Sequence, residues 1–223
     1  PSDLLQPISS ESLFRHLDDK SRDFLGGLGP DLATRVLPIG VSPWVLLLRN
    51  GDPWIADAKK DWKVLLDQEL RGQLVLPSSP RLIMSLADRI DLPNGLKRLY
   101  AQALTFDDTN SLNWILSGKA RAAILPLQHC FLTLRRDPRL SIVLPESGAP
   151  LHWTLLVHSI NSKQPIPEDW LEKAWTKPLL GQLLSSGWRP PLSKKVLLTQ
   201  MQSIPERYQS LILPPDEIWE RCW

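Results

Sequence analysis

The chain has 223 residues, of which 43% are hydrophobic and 22% charged. That balance excludes wholesale disorder and, at about 100–200 residues per domain, allows one large domain or two smaller lobes. Lys plus Arg number 26 against 24 Asp plus Glu with no clustered basic stripe, so no nucleic-acid partner is expected. Cys130 and Cys222 are too few for a disulfide scaffold, and no apolar run reaches the length of a membrane span.

The 21 prolines fix φ and remove donors often enough to predict many short elements. The 10 tryptophans serve either as core filler or as flat walls of a binding cleft. The chain opens at Pro1 with no basic n-region and apolar h-region before it, so an export signal is not visible. Residues 10–25 place Leu13, Phe14, Leu17 and Phe24 at helical spacing behind a Ser10 cap. The cluster Gly26-Gly27-Leu28-Gly29-Pro30 then reads as a helix stop, because it lacks the Lys-Ser/Thr of a phosphate loop. Trp44–Leu48 is a continuously apolar run typical of a strand buried on both faces, and Asn50-Gly51-Asp52-Pro53 is its turn. Gln73–Leu76, Ala122–Leu125 and Leu140–Leu144 are similar runs, and His152–Ile160 is a longer fifth.

Helical stretches separate these runs, which predicts βαβ units and a largely parallel sheet. Ser79-Pro80 reads as N-cap and first residue of a helix carrying Leu82, Ile83, Leu86, Ala87 and Ile90. A second helix starts after Asn110 and closes at Gly118. Pro167-Glu168-Asp169 opens a third, which Pro178 kinks or restarts. A helical tail is expected over Pro191–Trp223. The fold class is α/β.

Catalytic chemistry finds little support. His16, His129, His152 and His158 form neither an HExxH pair nor a zinc-spaced cluster, so no metal or cofactor is implied. His129 and Cys130 are adjacent, and adjacent side chains point apart. Cys130 reads as a small buried hydrophobe. There is no G-x-S-x-G elbow and no S-x-x-K, and nothing selects a glycosidase pair among the acids. The chain reads as a non-enzyme.

Asp61-Trp62-Lys63-Val64-Leu65-Leu66-Asp67-Gln68-Glu69-Leu70-Arg71-Gly72, running into Gln73–Leu76, resembles the "SWxxLxxPEYKGK" phrase of ABC-transporter solute-binding proteins of the spermidine/putrescine type. Ser78-Ser79-Pro80-Arg81 falls on the helix start that follows in that family. Asn113–Ala120 is similar to its "xxGEx" helix end, and Asp137–Gly148 to its "PxxxxVxPxEG" strand. Trp153 sits like the tryptophan after that strand. Gly187-Trp188-Arg189-Pro190-Pro191 resembles the "GYxTPN" turn, and Leu213-Pro214-Pro215-Asp216-Glu217 the terminal "LYPPxE". These matches are collinear over about residues 36–223.

The resemblance implies a two-lobed, periplasmic-binding-protein-like fold of type II, with crossings near Asn50–Pro53 and Pro150–Trp153. Residues 1–50 and 151–190 would form a partial first lobe, and 51–150 with 191–223 the second. The family carries a further βαβ region ahead of the point matching Pro1. The first lobe is therefore expected to be incomplete, with a partner or a dimer contact covering its edge.

Polyamine capture needs carboxylates for the ammonium groups and aromatic faces for the methylenes. Carried over by position, the family's acids fall on Ser79, Leu82 and Leu155 and its strand-end aromatic on Pro126; only Trp153 matches. Weak or no spermidine binding is expected. The candidate ligand residues are Ser42 and Trp44 at the start of the first apolar run, Ser78, Ser79 and Arg81 at the helix start, Gln128 and His129 after a strand end, and Trp153. At the helix start, ordinary capping with a salt-bridged Arg81 is the alternative to an anionic or polar neutral ligand. The expectation is an ABC-importer module that binds a small polar solute in an interlobe cleft, partners a transporter permease, and resides in the periplasm or on a lipid anchor at the outer face of the inner membrane. The alternative is a degenerate member acting as an interaction scaffold.

Overall fold

A computed structural model describes residues 2–223, apart from the side chains of Ser2 and Ser203. The chain divides into two compact units. Unit A comprises Pro1–Ser42 and Trp153–Leu213, and unit B comprises Pro43–His152 and Pro214–Trp223.

The predicted helix over residues 10–25 is two helices, α1 (Glu11–Arg15) and α2 (Asp19–Gly27). The break has a local cause. Asp18 accepts the Ser21 N–H at 2.9 Å and so caps α2, while its own N–H donates to Pro191 O at 2.9 Å. Leu17 forms a β-bridge with Leu192. Gly29, at φ +83°, then leads into a single turn, α3 (Pro30–Ala33), so the glycine cluster is a stop followed at once by a start.

Strand β1 (Val36–Arg49) is buried almost throughout. It contains Pro38 and Pro43, which cannot donate to a ladder. Both lie outside the stretches Trp44–Leu48 and Leu46–Arg49 that pair with neighbouring strands of unit B. After β1 come α4 (Ile55–Ala58), two 3-10 turns, β2 (Leu74–Leu76), α5 (Pro80–Ile90), α6 (Gly95–Gln102) and β3 (Ala103–Phe106). Next are α7 (Ser111–Leu116), β4 (Ala122–Pro126), α8 (Leu127–Arg136), β5 (Leu140–Val143) and β6 (Leu151–Val157).

The strand order is β3-β2-β4-β1-β5, with β6 also pairing β1. The sheet is mixed rather than largely parallel. β2 is parallel to β3 and β4, whereas β1 is antiparallel to β4 and β5. The successive strands β2 to β5 do run in one direction, as their helical crossovers require. β1 enters between β4 and β5 from outside that series, and nothing local in its apolar run encodes its direction.

Unit A holds α9 (Glu168–Ala174), α10 (Leu179–Ser185), α11 (Lys194–Leu198) and α12 (Glu206–Ile212). Residues 191–213 thus pack with unit A, where the sequence reading grouped them with 51–150; only α13 (Asp216–Glu220) and the last residues join unit B. Pro214-Pro215 ends the one segment and opens the other. Arg189 anchors the unit A side. It is 4% exposed, donates Nη1 to Ile212 O at 3.5 Å, and lies 3.8 Å from Asp18 Oδ2.

In unit B, fully buried Trp62 donates Nε1 to Gly148 O at 2.8 Å. Gly148 has φ +82°, and a Cβ there would collide with the Arg221 carbonyl. Cys222 Sγ accepts the Ala149 N–H at 3.3 Å, and Trp223 O accepts the Leu151 N–H at 3.0 Å.

Two stability experiments follow from these contacts. Asp18→Ala removes a helix cap and the carboxylate beside a buried guanidinium, so it should cost about 3 kcal/mol or more in urea unfolding, and Asp18→Asn less because the amide oxygen still caps. A loss under 1 kcal/mol in Asp18→Ala would refute that role. Gly148→Ala combines left-handed backbone with a backbone collision and should cost about 2 kcal/mol or more. Gly72→Ala, at φ +70° in open space, should cost only about 1 kcal/mol; equal losses in the two variants would remove the collision from the account.

Candidate functional site at the carboxyl end of the unit B sheet

In open α/β sheets, ligand groups gather where strand carboxyl ends meet helix amino ends. In unit B this is the end of β2 at Ser78, of β3 at Asp108 and of β4 at Pro126. The β1–β4 register sets Trp44 opposite Pro126. Pro126 is also the residue before α8, so the first turn of that helix brings Gln128 and His129 to the same rim.

A row of three rings results. The His152 imidazole on β6 stands edge-on to the Trp44 indole, centroids 5.8 Å apart and planes at 78°. On its other flank is His129, at 5.7 Å and 65°. Trp44 is 8% exposed, His152 half-buried, and His129 exposed along the outer face of α8. Partial desolvation beside its neighbours lowers the His129 pKa even on this exposed face, with the Asp108 charge opposing. Burial lowers that of His152 too, then His129 beside it, again with Asp108 opposing. Asp108 in turn accepts the Ser78 N–H at 3.0 Å through Oδ1, which joins the β2 end to the β3 end.

Ring contacts therefore join Trp44 to His129 through His152, and a hydrogen bond joins Ser78 to Asp108, whose charge acts on both imidazoles; the sequence reading selected neither His152 nor Asp108. Gln128 is half-buried on the first turn of α8. Ser79 holds the N-cap position of α5, but its hydroxyl makes no capping bond, and Ile83 N–H bonds its carbonyl at 3.2 Å. Arg81 is exposed and forms no ion pair among the described residues. Ordinary side-chain capping with a salt-bridged Arg81 is thus not what this helix start shows. Ser42 and Trp153 belong to unit A. Ser42 is buried on β1, and Trp153 stacks on Phe24 at 4.4 Å and 16°.

Leu82 and Pro126 are buried, as an apolar rim requires. His129 and Cys130 point apart on α8: Cys130 is fully buried, its thiol donates to Leu127 O at 3.4 Å, and burial pushes its pKa up. A thiol so held is protonated and inert. No group of three or more His, Cys, Asp or Glu suited to a metal ion occurs among the described residues, and no described helix is long and apolar enough to cross a membrane.

No protein-family model matches the chain, and no curated protein matches it. Solved structures supply the class: the chain has the α/β fold of the periplasmic binding proteins. One structure with this fold is the spermidine/putrescine ABC transporter substrate-binding protein of Streptococcus pneumoniae, at TM-score 0.69 and 15% identity, the match covering 99% of this chain and 71% of that one. Another is the apo ferric ion-binding protein A of Pasteurella haemolytica, at 0.63 and 14%, covering 97% and 77%. The ferric binding protein of Campylobacter jejuni aligns at 0.62 and 15%, covering 89% and 69%.

The imidazole row has a pH signature. The folded-state pKa values of His129 and His152 lie below the ordinary value of about 6.5, so the unfolded chain binds more protons. The associated stability is intact above about pH 6.5 and lost as pH falls toward the folded-state values. In histidine ring NMR titrations both should show midpoints below about 6.5. The His129→Gln/His152→Gln double variant should flatten the decline of stability between about pH 6.5 and 5. Midpoints above the ordinary value would contradict the packing described.

Proposed function

We propose that the chain is a non-catalytic, solute-binding-protein-like module of an ABC importer, taking a small polar solute at the carboxyl-end rim of unit B. The observation that carries the reading is the Trp44–His152–His129 row beside Asp108 and Ser78, in a fold shared with transport substrate-binding proteins. An indole wall with imidazole donors and acceptors suits orientation of a polar solute. The partners on this reading are the solute and a transporter permease, and the compartment is the periplasm or the outer face of the inner membrane. The two units correspond to the lobes of that family.

Spermidine is a poor fit. Asp108 is the carboxylate beside the ring row, and apolar Leu82 and Pro126 stand where acids and an aromatic would be needed. Those two buried residues favour the second reading, a degenerate member that has lost its ligand and serves as an interaction scaffold, with a partner or second copy on unit A.

Thermal unfolding against a panel of amino acids, sugars, small anions and polyamines separates the two. On the transport reading one class stabilises saturably, by about 2.7 kcal/mol at a hundredfold excess over Kd. His129→Ala, altered on an exposed helix face, should weaken that response at least tenfold without lowering the unligated unfolding temperature by more than a few degrees. Flat responses across the panel would favour the scaffold, and strong stabilisation by spermidine alone would overturn the expected ligand class.

A further inference from the structure

Away from the rim, unit B holds a half-buried guanidinium that pairs with no carboxylate among the described residues. Arg89 lies on the last turn of α5, and Ser85 lies one turn earlier on the same face, four residues back. Arg89 Nη1 donates to Ser147 O at 3.3 Å. Nε and Nη2 are buried and make no hydrogen bond among the described residues, and the same holds for Ser85 Oγ and Ser147 Oγ. No carboxylate pairs with Arg89 among the described residues. The Trp223 indole lies over it, its ring centroid 5.0 Å from Cζ, and Trp223 is itself 63% exposed.

These groups are chemically alike in one respect. All can donate, and none is a fixed negative charge. Nε and Nη2 form the side-on edge of the guanidinium, two parallel N–H groups whose spacing matches the two oxygens of a carboxylate or phosphate. A buried guanidinium is among the costliest groups to leave uncompensated. Burial accordingly depresses the Arg89 pKa, with only the Cys222 thiol opposing.

We propose that Arg89, Ser85 and Ser147 form a binding site for one small oxyanion, a carboxylate or a phosphate, with the Trp223 indole as its movable cover. The anion takes the Nε–Nη2 edge in bidentate fashion, and the two hydroxyls donate to its remaining lone pairs. Nε and Nη2 have no exposed surface, so on this proposal the anion enters when the exposed Trp223 ring over Cζ swings outward. The site shares no residue with the ring row, so it stands or falls separately from the importer reading.

The test titrates the full chain with phosphate and, separately, acetate at constant ionic strength, reading unfolding temperature and tryptophan fluorescence. Saturable stabilisation with a fluorescence change is expected, and whichever anion saturates at lower concentration identifies the natural chemistry. Arg89→Gln should abolish the response, and Ser85→Ala should weaken it severalfold. If Arg89→Gln does not fold, isothermal calorimetry on the Ser85→Ala/Ser147→Ala variant against the unaltered chain decides, with at least a tenfold loss expected. A non-saturating salt effect, or saturation unchanged in these variants, overturns the proposal. So would an Arg89→Met chain more stable than the parent while the parent itself ignores both anions.

Discussion

The register of one strand organises unit B. Trp44–Leu48 is buried on both faces and pairs antiparallel with β4 on one side, while Leu46–Arg49 pairs with β5 on the other. A slip of one residue would turn every side chain of that stretch to the opposite face. With the register set, Trp44 must lie opposite Pro126, and Pro126 must hand directly into α8. The ring row is therefore a consequence of strand pairing, since the indole comes from the middle of β1, one imidazole from the helix after β4 and the other from β6. None of the three is on a long loop free to relax.

This also explains what could be read in advance. The apolar runs at 44–48, 73–76, 122–125 and 140–144 announce strands because burial on both faces leaves no polar alternation to confuse them. The Ser79-Pro80 helix start is equally legible, from the fixed φ of proline. β3 left no such mark: it follows α6 without a turn residue, spans four residues, and sits half-exposed at the sheet edge. The direction of β1 was hidden for a different reason, as pairing partners are a long-range property that a local apolar run does not specify. The α1–α2 break depended on Leu17 and Asp18 meeting Leu192 and Pro191, about 170 residues later.

The candidate site shows the same division. Trp44 and His129 were accessible from their positions at a strand run and a strand end. His152 passed as one more residue of an apolar strand, and Asp108 as one of several loop acids. Both gain meaning only when β6 comes beside the rim and the β2 and β3 ends are tied by the Ser78–Asp108 bond. The fate of Arg81 is instructive in the opposite direction: a cation at a helix start looks like a ligand or an ion-pair member by type, yet its side chain is simply exposed.

Electrostatic magnitudes decide which solutes suit this rim. A carboxylate 5 Å from an ammonium at an effective dielectric near 20 contributes about 3 kcal/mol, whereas withdrawing one ammonium from water costs several. Asp108 could offset at most one such charge, and its Oδ1 already accepts the Ser78 N–H. A polyamine would bring further charges to a surface made of indole, imidazole and buried leucine, each uncompensated. Neutral imidazoles change the balance, because each presents one donor and one acceptor and can match a hydroxyl, an amide or a carboxylate oxygen without a net charge to desolvate. The desolvation that depresses their pKa values is thus the same feature that disfavours multiply charged cations at this rim.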